Sequence, residues 1–319
     1  MHDAGGDVPL NFGGEERSDR RVSVGGQERS DRGMSVGGQE RSDPGMTIGG
    51  QERSDRGMNF GGQERSDRGM NFGLDGRVVL VTGGVRGVGA GISAVFACQG
   101  ATVVTCARRP VEGLAYEFHR CDVRDADAVA TMVDAIVDTH GRLDVVVNNA
   151  GGSPYALAAD ASPKFHEKII QLNLLGMLHV SQRANSLMQT QESGGSIVSI
   201  ASLSGWRPSP GTAAYGAAKA GVESLTATLA VEWAPKVRVN ALRVGMVETE
   251  QVELFYGDAE SQAAVAATVP LGRLAKPSEI GWAAAFLASA AASYISGATI
   301  AVHGGGEPPP YLAASSANK

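Results

Sequence analysis

The chain has 319 residues, of which 43% are hydrophobic, and it carries a formal net charge of −6 at pH 7. This hydrophobic content is ample for a folded core. The acidic balance excludes a general nucleic-acid binder, because a surface that follows phosphates needs an excess of basic residues. A small, uncharged or mildly polar molecule is the expected partner.

A repeat of twelve residues occupies most of residues 1–72. Copies of GGQERSDRGM begin at Gly25, Gly49 and Gly61, with looser copies at Gly13 and Gly37. Each copy holds too few apolar side chains to offset the entropy of ordering it, which predicts a disordered tail. An interaction arm rich in arginine and glycine is the functional alternative. The methionines that recur in the repeat also allow translation to begin later, for example at Met70.

Residues 73–306 alternate between apolar runs and helix-length segments. The runs are rich in Val and Ile without a polar alternation, which is typical of parallel strands covered on both faces. The predicted strands are Val78–Val81, Thr102–Cys106, Leu143–Val147, Ser196–Ile200, Val237–Leu242 and Ala298–Val302. The predicted helices are Gly87–Gln99, Ala126–Thr139, Pro163–Gln189, Thr212–Trp233 and Pro277–Ser289. This order predicts one doubly wound, Rossmann-like α/β domain, followed by a tail over 307–319.

The stretch from Ile280 to Val302 has no charged residue and is long enough to span a bilayer. Serines, a glycine and a threonine interrupt it, so we interpret it as a helix to about Ser289, a turn at Ser296 and Gly297, and a strand. No membrane span is expected. The first residues also lack the basic patch and apolar run of a secretory signal.

The three cysteines, Cys98, Cys106 and Cys121, form no CxxC pair. They are interpreted as buried, inert thiols in a reducing compartment, which predicts a cytoplasmic protein. No metal site is predicted.

A glycine-rich loop, Thr82-Gly83-Gly84-Val85-Arg86-Gly87-Val88-Gly89, joins the first predicted strand to the first predicted helix. Glycines allow the backbone to turn sharply and a pyrophosphate to approach closely, and the helix N-terminus supplies amide donors and a positive dipole. The loop therefore predicts a dinucleotide site.

The end of the second predicted strand bears on the choice between NAD and NADP. Dinucleotide folds place an acidic residue there for NAD and often an arginine for NADP. No Asp or Glu occurs between Ala90 and Val111, whereas Arg108 and Arg109 follow the strand. A guanidinium suits a 2′-phosphate, so NADP(H) is favoured and NAD(H) stays possible. Ordinary solvated loop arginines are the alternative.

From Leu74 to about Gly305 the chain resembles the short-chain dehydrogenase/reductase family, in its one-domain subgroup. The resemblance is carried by TGxxxGxG at Thr82–Gly89, by Cys121-Asp122-Val123, by Asn148-Asn149-Ala150-Gly151 and by Tyr-x-x-x-Lys at Tyr215 and Lys219. It implies a catalytic tetrad of Asn173, Ser202, Tyr215 and Lys219, and a homotetramer or homodimer. The cofactor-binding residues that the loop and the resemblance predict are Gly83, Arg86, Gly87, Val88, Gly89, Arg108, Asp122, Val123, Asn149, Ala150, Gly151, Tyr215, Lys219, Val247 and Thr249.

The chemistry of the tetrad can be argued from its residue types. A phenol titrates near pH 10, so bringing it toward neutrality takes about 4 kcal/mol of preferential stabilisation of the phenolate. On a helix, Lys219 shares a face with Tyr215 and can supply the cation. Ser202 can hydrogen-bond the substrate oxygen and polarise it. The resemblance further implies that Asn173 anchors a water that relays protons to Lys219.

Two departures from the family pattern are visible. Val244-Gly245 stands where the family usually has Pro-Gly. The connection from Arg109 to Cys121 is too short for the long helix that usually follows the second strand. The segment Glu250–Val269 occupies the position of the family's mobile substrate lid.

These residues predict an oxidoreductase that transfers a hydride between a nicotinamide cofactor and a secondary alcohol or ketone, with Tyr215 as general acid and base. A cofactor-binding epimerase or dehydratase and a catalytically vestigial cofactor sensor are the alternatives. An apolar substrate is suggested by Ser153, Pro154, Tyr155, Leu203, Trp206 and the lid aromatics Phe255 and Tyr256.

Overall fold

The computed structural model describes residues 71–316, apart from the side chain of Ala313, so the repeat predicted to be disordered lies almost entirely outside the described residues. The strands of this part are β1 (Val78–Thr82), β2 (Thr102–Ala107), β3 (Glu117–Arg120), β4 (Val145–Asn148), β5 (Gly195–Ser202), β6 (Val237–Val244) and β7 (Thr299–Val302). Its α-helices are α1 (Gly87–Cys98), α2 (Ala126–His140), α3 (Pro163–Ile170), α4 (Gly176–Met188), α5 (Ala213–Glu232), α6 (Val252–Tyr256), α7 (Ala259–Ala267), α8 (Pro277–Ala288) and α9 (Pro310–Ala314).

The strands form one parallel sheet in the order β3-β2-β1-β4-β5-β6-β7. Side chains alternate across it, so Val79 and Val81 of β1 face one layer of helices while Val78 and Leu80 face the other. Helices α1 and α8 cover the first face, and α2 and α4 cover the second. The doubly wound, Rossmann-like fold predicted from the sequence is confirmed.

The strand β3 was missed in the sequence because it is polar. Its residues are Glu117, Phe118, His119 and Arg120. It is the first strand in the order of the sheet, and an edge strand of this kind is not buried on both faces. The Glu117 carboxylate contacts His119 Nε2 and His140 Nε2, both at 2.7 Å. Edge strands of this kind leave no apolar run for a pattern to detect.

The interpretation of the cysteines was wrong for one of the three. Cys98 is exposed, because it lies in the last turn of α1 on the side away from the sheet. Cys106 and Cys121 are buried, and burial raises the pKa of the first to about 12 and of the second to about 11. None of the three thiols is paired in a disulfide.

The uncharged stretch Ile280–Val302 folds as a helix, a short turn region and the strand β7. No helix within residues 71–316 is both long enough and apolar enough to cross a membrane. The sequence-based interpretation of this stretch is therefore confirmed.

A buried carboxylate joins the starts of the central strands β1 and β4. It lies at the amino ends of the strands, whereas the predicted site lies at their carboxyl ends. Asp144 is 3% exposed and accepts from Val78 N at 2.9 Å, from Arg77 Nη1 at 2.8 Å and from Arg142 Nε at 2.7 Å. Burial by itself would raise the pKa of Asp144, but these hydrogen bonds outweigh it and hold the pKa below its ordinary value. Because the pKa of Asp144 is lower in the folded protein than in the unfolded chain, its ionised carboxylate stabilises the fold at a pH above the unfolded pKa. This stabilisation is lost as the pH falls through the folded pKa.

Replacing Asp144 with asparagine is therefore expected to lower the free energy of unfolding at pH 7 by about 2 kcal/mol, since hydrogen bonds to a charged group are among the stronger ones. In urea titrations between pH 7 and pH 3, the difference from the wild type should shrink as Asp144 itself becomes protonated. Asp134→Asn is the control, because Asp134 pairs with Arg183 at an exposed site and such pairs contribute little. Equal losses in both variants would contradict the assignment.

Candidate active site

The site lies where the order of the strands in the sheet reverses, between β1 and β4. Strand β1 lies between β2 and β4, so the connections from β1 and from β4 leave the sheet on opposite sides and open a crevice at the carboxyl ends of the strands. Asn149 bridges this crevice, with Nδ2 donating to Thr82 O at 2.9 Å and to Gly83 O at 3.2 Å. The N–H groups of Asn149 and Ala150 both donate to Thr82 Oγ1 at 3.0 Å. Thr82 thus joins the two loops.

The glycine loop needs its glycines for two different reasons. Gly83 has φ +65°, a left-handed conformation that favours glycine. Gly89 is required for close approach, because a Cβ there would lie 2.2 Å from Gly83 O and 2.5 Å from Asn149 Nδ2. Between them, the half-buried Val88 packs toward the core that α1 shares with the sheet. The loop is therefore held tightly against both the strand and the helix.

The backbone amide of Gly87, at the start of α1, binds an anionic group in this structure. The Glu250 carboxylate accepts from the Gly87 N–H with both of its oxygens, at 3.0 and 3.1 Å. The side chain of Thr249 lies 3.6 Å from the position that a Cβ of Gly87 would take, and Arg86 is exposed just before the helix. An amide N–H that donates to a carboxylate can equally donate to a phosphate oxygen, so these residues fit a dinucleotide pyrophosphate.

Charged residues collect at the carboxyl ends of β2 and β3. Arg108 follows β2 and is exposed. Asp122 follows β3 and is held by Arg124, whose Nε donates to Oδ1 at 2.9 Å and whose Nη2 donates to Oδ2 at 2.5 Å. Burial would raise the pKa of Asp122, but the hydrogen bonds from Arg124, with a smaller effect of the Arg108 charge, keep it below its ordinary value. The neighbouring Val123 is buried in the core.

Ser202, Tyr215 and Lys219 come together beside the end of β5. Ser202 is the last residue of β5 and accepts from Ser204 N at 3.1 Å. Tyr215 and Lys219 lie one turn apart near the start of α5, and Lys219 Nζ is 5.6 Å from the centre of the Tyr215 ring. Lys219 is 4% exposed, and its Nζ donates to Ile200 O at 2.7 Å. Within residues 71–316 no carboxylate pairs with this ammonium.

The electrostatics of this pair differ from the expectation for Tyr215. Burial raises the pKa of Tyr215, a hydrogen bond with Ser202 lowers it, and the nearby Tyr256 raises it, with a net upward shift. Burial lowers the pKa of Lys219 to about 8. The low polarity of the site therefore disfavours both charged forms, and the Lys219 ammonium alone does not bring Tyr215 toward neutrality.

Asn173 lies in a π-helical turn inside the long helix predicted over Pro163–Gln189. α3 ends at Ile170, residues 171–175 form this turn, and α4 begins at Gly176 without a gap. Asn173 is 1% exposed, with Nδ2 donating to Gly152 O and Ile169 O at 2.9 Å and Oδ1 accepting from Gly152 N at 2.8 Å. The predicted helix is present from Pro163 to Met188, and the wider turn within it places this side chain on the loop after β4.

Gly151 lies close to both Asn173 and Lys219. A Cβ at Gly151 would lie 2.6 Å from Asn173 Oδ1 and 3.4 Å from Lys219 Nζ. The amide of Asn173 and the ammonium of Lys219 therefore face the same small space beside the loop. All four side chains predicted as a tetrad thus lie around the ends of β4 and β5.

The segment predicted as a lid contains α6 and α7. It begins after Val247, which makes a short parallel bridge with Ala275. Phe255 is exposed and Tyr256 is half-buried. Arg207 Nη2 donates to Glu307 Oε1 at 2.6 Å, and the charges of both residues act on Tyr256.

Two residues of this site were not singled out in the sequence. Arg124 follows Asp122 by two positions, and that Asp-x-Arg spacing is the signal that could have identified it. Glu250 follows Thr249 directly, but nothing local indicates that its carboxylate reaches Gly87, 163 positions away. No group of three or more His, Cys, Asp or Glu side chains that could hold a metal ion occurs in the part of the chain that the structure describes.

Comparisons with known proteins agree with this geometry. The sequence profile of the family described as enoyl-(acyl carrier protein) reductase matches residues 83–307. The 3-oxoacyl-(acyl-carrier-protein) reductase FabG of Thermotoga maritima is 35% identical over 244 residues, which cover 73% of this chain and 98% of that protein. The D-threitol dehydrogenase of Mycolicibacterium smegmatis is 36% identical over 244 residues, or 73% of this chain and 93% of that protein.

Solved structures show the same similarity. The ligand-free aldohexose dehydrogenase of Thermoplasma acidophilum superimposes with a TM-score of 0.70 and 31% sequence identity. The match covers 74% of this chain and 96% of that one.

Proposed function

The chain belongs to the short-chain dehydrogenase/reductase family and is an NAD(P)-dependent oxidoreductase acting on CH–OH groups, and we propose that it uses NADP(H), with Tyr215 as the general acid and base. Its substrates are a small-molecule alcohol and the corresponding carbonyl compound. The observation that carries the proposed mechanism is the buried, carboxylate-free Lys219 ammonium, whose Nζ lies 5.6 Å from the centre of the Tyr215 ring, one helical turn away on α5.

Each residue of the tetrad has a distinct part in the proton transfer. When bound, the nicotinamide cofactor supplies or accepts the hydride. In the reducing direction the Tyr215 hydroxyl donates its proton to the carbonyl oxygen, and in the oxidising direction its oxygen takes the proton of the alcohol. Ser202 orients the substrate oxygen by a hydrogen bond, and the Lys219 cation stabilises the Tyr215 phenolate.

Asn173 is proposed as a positioning residue. Both of its N–H groups and its oxygen are engaged with backbone groups, and two of these three contacts are to Gly152. These bonds hold the loop that follows β4 beside the Lys219 ammonium. The water relay that the family resemblance implies stays a prediction.

The preference for NADP(H) rests on Arg108. Hydrogen bonds between a guanidinium and a phosphate are charge-assisted, and losing one costs about 1.5 to 3 kcal/mol, or about 10- to 100-fold in affinity. Arg108→Ala is therefore expected to raise the KM for NADP by at least about 10-fold and to change the KM for NAD by less than about 2-fold. Lys236→Ala removes the same charge at the start of β6 and is the control. Equal effects on both cofactors would contradict the NADP assignment.

The activity itself is tested by cofactor reduction at steady state over a panel of alcohols, with NAD and NADP in parallel. The panel should include polyols, sugars and apolar secondary alcohols. Turnover of one of these with NADP as the better cofactor is expected. A sample that binds cofactor but oxidises no alcohol and reduces no ketone would instead favour a vestigial sensor, and interconversion of epimers without net cofactor change would favour an epimerase.

Three finer statements belong to the same proposal. We propose a substrate with an apolar part, supported by the exposed rings of Tyr155, Trp206 and Phe255. A homotetramer or homodimer is proposed from the family resemblance. A cytoplasmic location is proposed because all three cysteines are free thiols.

A further inference from the structure

The Glu250 carboxylate contacts the glycine loop at the start of α1. Gly87 is the first residue of α1, a helix of 12 residues, and its N–H has no partner within the helix. Both carboxylate oxygens of Glu250 lie within hydrogen-bond distance of that N–H, at 3.0 and 3.1 Å. A side chain with the charge of a phosphate therefore binds the amide that a pyrophosphate would use.

The carboxylate and a pyrophosphate cannot both bind there. The Gly87 N–H is a single donor, and two anions that converge on it repel each other at short range. The position favours an anion because the positive end of the α1 dipole adds to the donor. Whichever group binds Gly87 excludes the other, so cofactor binding requires the Glu250 side chain to leave.

The position of Glu250 in the chain links this exchange to the lid. Glu250 stands two residues before α6, the first helix of the lid, and directly after Thr249, whose side chain is close to Gly87. While Glu250 is bound, the start of the lid is tied to the glycine loop. Once it is released, that tie is lost.

We propose that Glu250 is an internal competitor of the cofactor pyrophosphate, which ties the base of the lid to Gly87 in the cofactor-free protein and is displaced when the dinucleotide binds. This inference rests on the proposed function, since it assumes that the dinucleotide binds at the glycine loop. It assigns Glu250 a role in setting cofactor affinity.

The first test measures affinity at equilibrium. NADPH binding to the full chain is followed by the change in NADPH fluorescence, for the wild type, Glu250→Gln and Glu250→Ala. Both variants are expected to bind NADPH about 2- to 5-fold more tightly, the range for an exposed charge interaction. Adenosine 2′-monophosphate, which has no pyrophosphate, should bind all three proteins equally. Glu253→Gln, which removes the same charge from exposed α6, should bind both ligands as the wild type does.

The second test measures whether the Glu250–Gly87 contact holds the start of the lid in the cofactor-free protein. Hydrogen–deuterium exchange of residues 249–256 in the cofactor-free protein should be faster in Glu250→Ala than in the wild type and in Glu253→Ala. Saturating NADPH should abolish the difference between Glu250→Ala and the wild type in that segment, because the tie is absent from both bound forms.

The outcomes separate the inference from the proposed function. If all variants bind NADPH with the same affinity, or if Glu250→Ala binds it more weakly, the competitor role is overturned while the cofactor assignment stands. Unchanged exchange of residues 249–256 in Glu250→Ala also overturns it. If neither NADPH nor NADH binds the wild type, both the inference and the proposed function are overturned.

Discussion

Tyr215→Phe is expected to lower kcat by at least about 100-fold, because general acid and base catalysis contributes about 100- to 10,000-fold and the variant lacks the hydroxyl that donates and accepts the proton. Ser202 can still orient the substrate oxygen, but its hydroxyl oxygen accepts from Ser204 N, and an aliphatic hydroxyl is a much weaker acid than a phenol. NADPH affinity, measured by fluorescence, should change by less than about 3-fold, since the variant removes a single hydroxyl.

The control for this prediction is Tyr116→Phe. Tyr116 is a half-buried tyrosine before β3, outside the residues placed in the site, and burial raises its pKa as it does that of Tyr215. Turnover of this variant should equal that of the wild type. Substantial turnover in Tyr215→Phe, with cofactor binding intact, would show that another group transfers the proton.

Lys219→Met is expected to abolish turnover and, at the same time, to make the protein more resistant to unfolding. A buried ammonium whose pKa falls from 10.5 to about 8 is disfavoured in the folded state. The linked cost is roughly 3 kcal/mol at neutral pH, reduced in the variant by loss of the hydrogen bond to Ile200 O. A net gain of about 1 to 2 kcal/mol corresponds to a Tm higher by roughly 2 to 8 °C for a domain of this size.

The stability difference between Lys219→Met and the wild type is expected to depend on pH. Below about pH 8 the lysine is charged in both states, so the wild type bears the full cost of burial. Between pH 8 and 10.5 the unfolded chain binds the additional proton, so wild-type stability rises with pH. The advantage of Lys219→Met, measured by denaturant titration at pH 7 and pH 10, should therefore shrink at the higher pH. Lys236→Met, at an exposed position, should show no such change, and a constant advantage at both pH values would contradict the argument.

These predictions together describe a site in which stability is given up for function. The glycine loop, the Asn149 bridge and the turn at Asn173 are all held by satisfied backbone hydrogen bonds, whereas Lys219 is a buried charge without a carboxylate. Proteins keep such a group where chemistry needs a cation in a place of low polarity. Asp144, at the amino ends of the strands, shows the opposite arrangement. Its charge is compensated by those of Arg77 and Arg142.

The amino-acid sequence by itself determined the fold class, six of the strands, the glycine loop and the Tyr-x-x-x-Lys spacing, whereas Asn173 and Ser202 were predicted through the resemblance to the family. Each of these depends on short-range information: a run of β-branched residues, a spacing of glycines, or a Tyr and a Lys one helical turn apart. Such patterns are local because a strand or a helix is defined by neighbouring residues. The order of the motifs along the chain then identified the sheet on which they meet.

Only the tertiary structure decided the features that join distant parts of the chain. The polar edge strand β3 exists because it pairs with β2, and the π-helical turn at Asn173 accompanies the hydrogen bonds of that side chain to the loop after β4. Burial, which no local pattern specifies, set the raised pKa of Tyr215 and the lowered pKa of Lys219. The Glu250 carboxylate reaches Gly87 for the same reason, since the free energy of each such contact depends on which groups the folded chain brings together and removes from water.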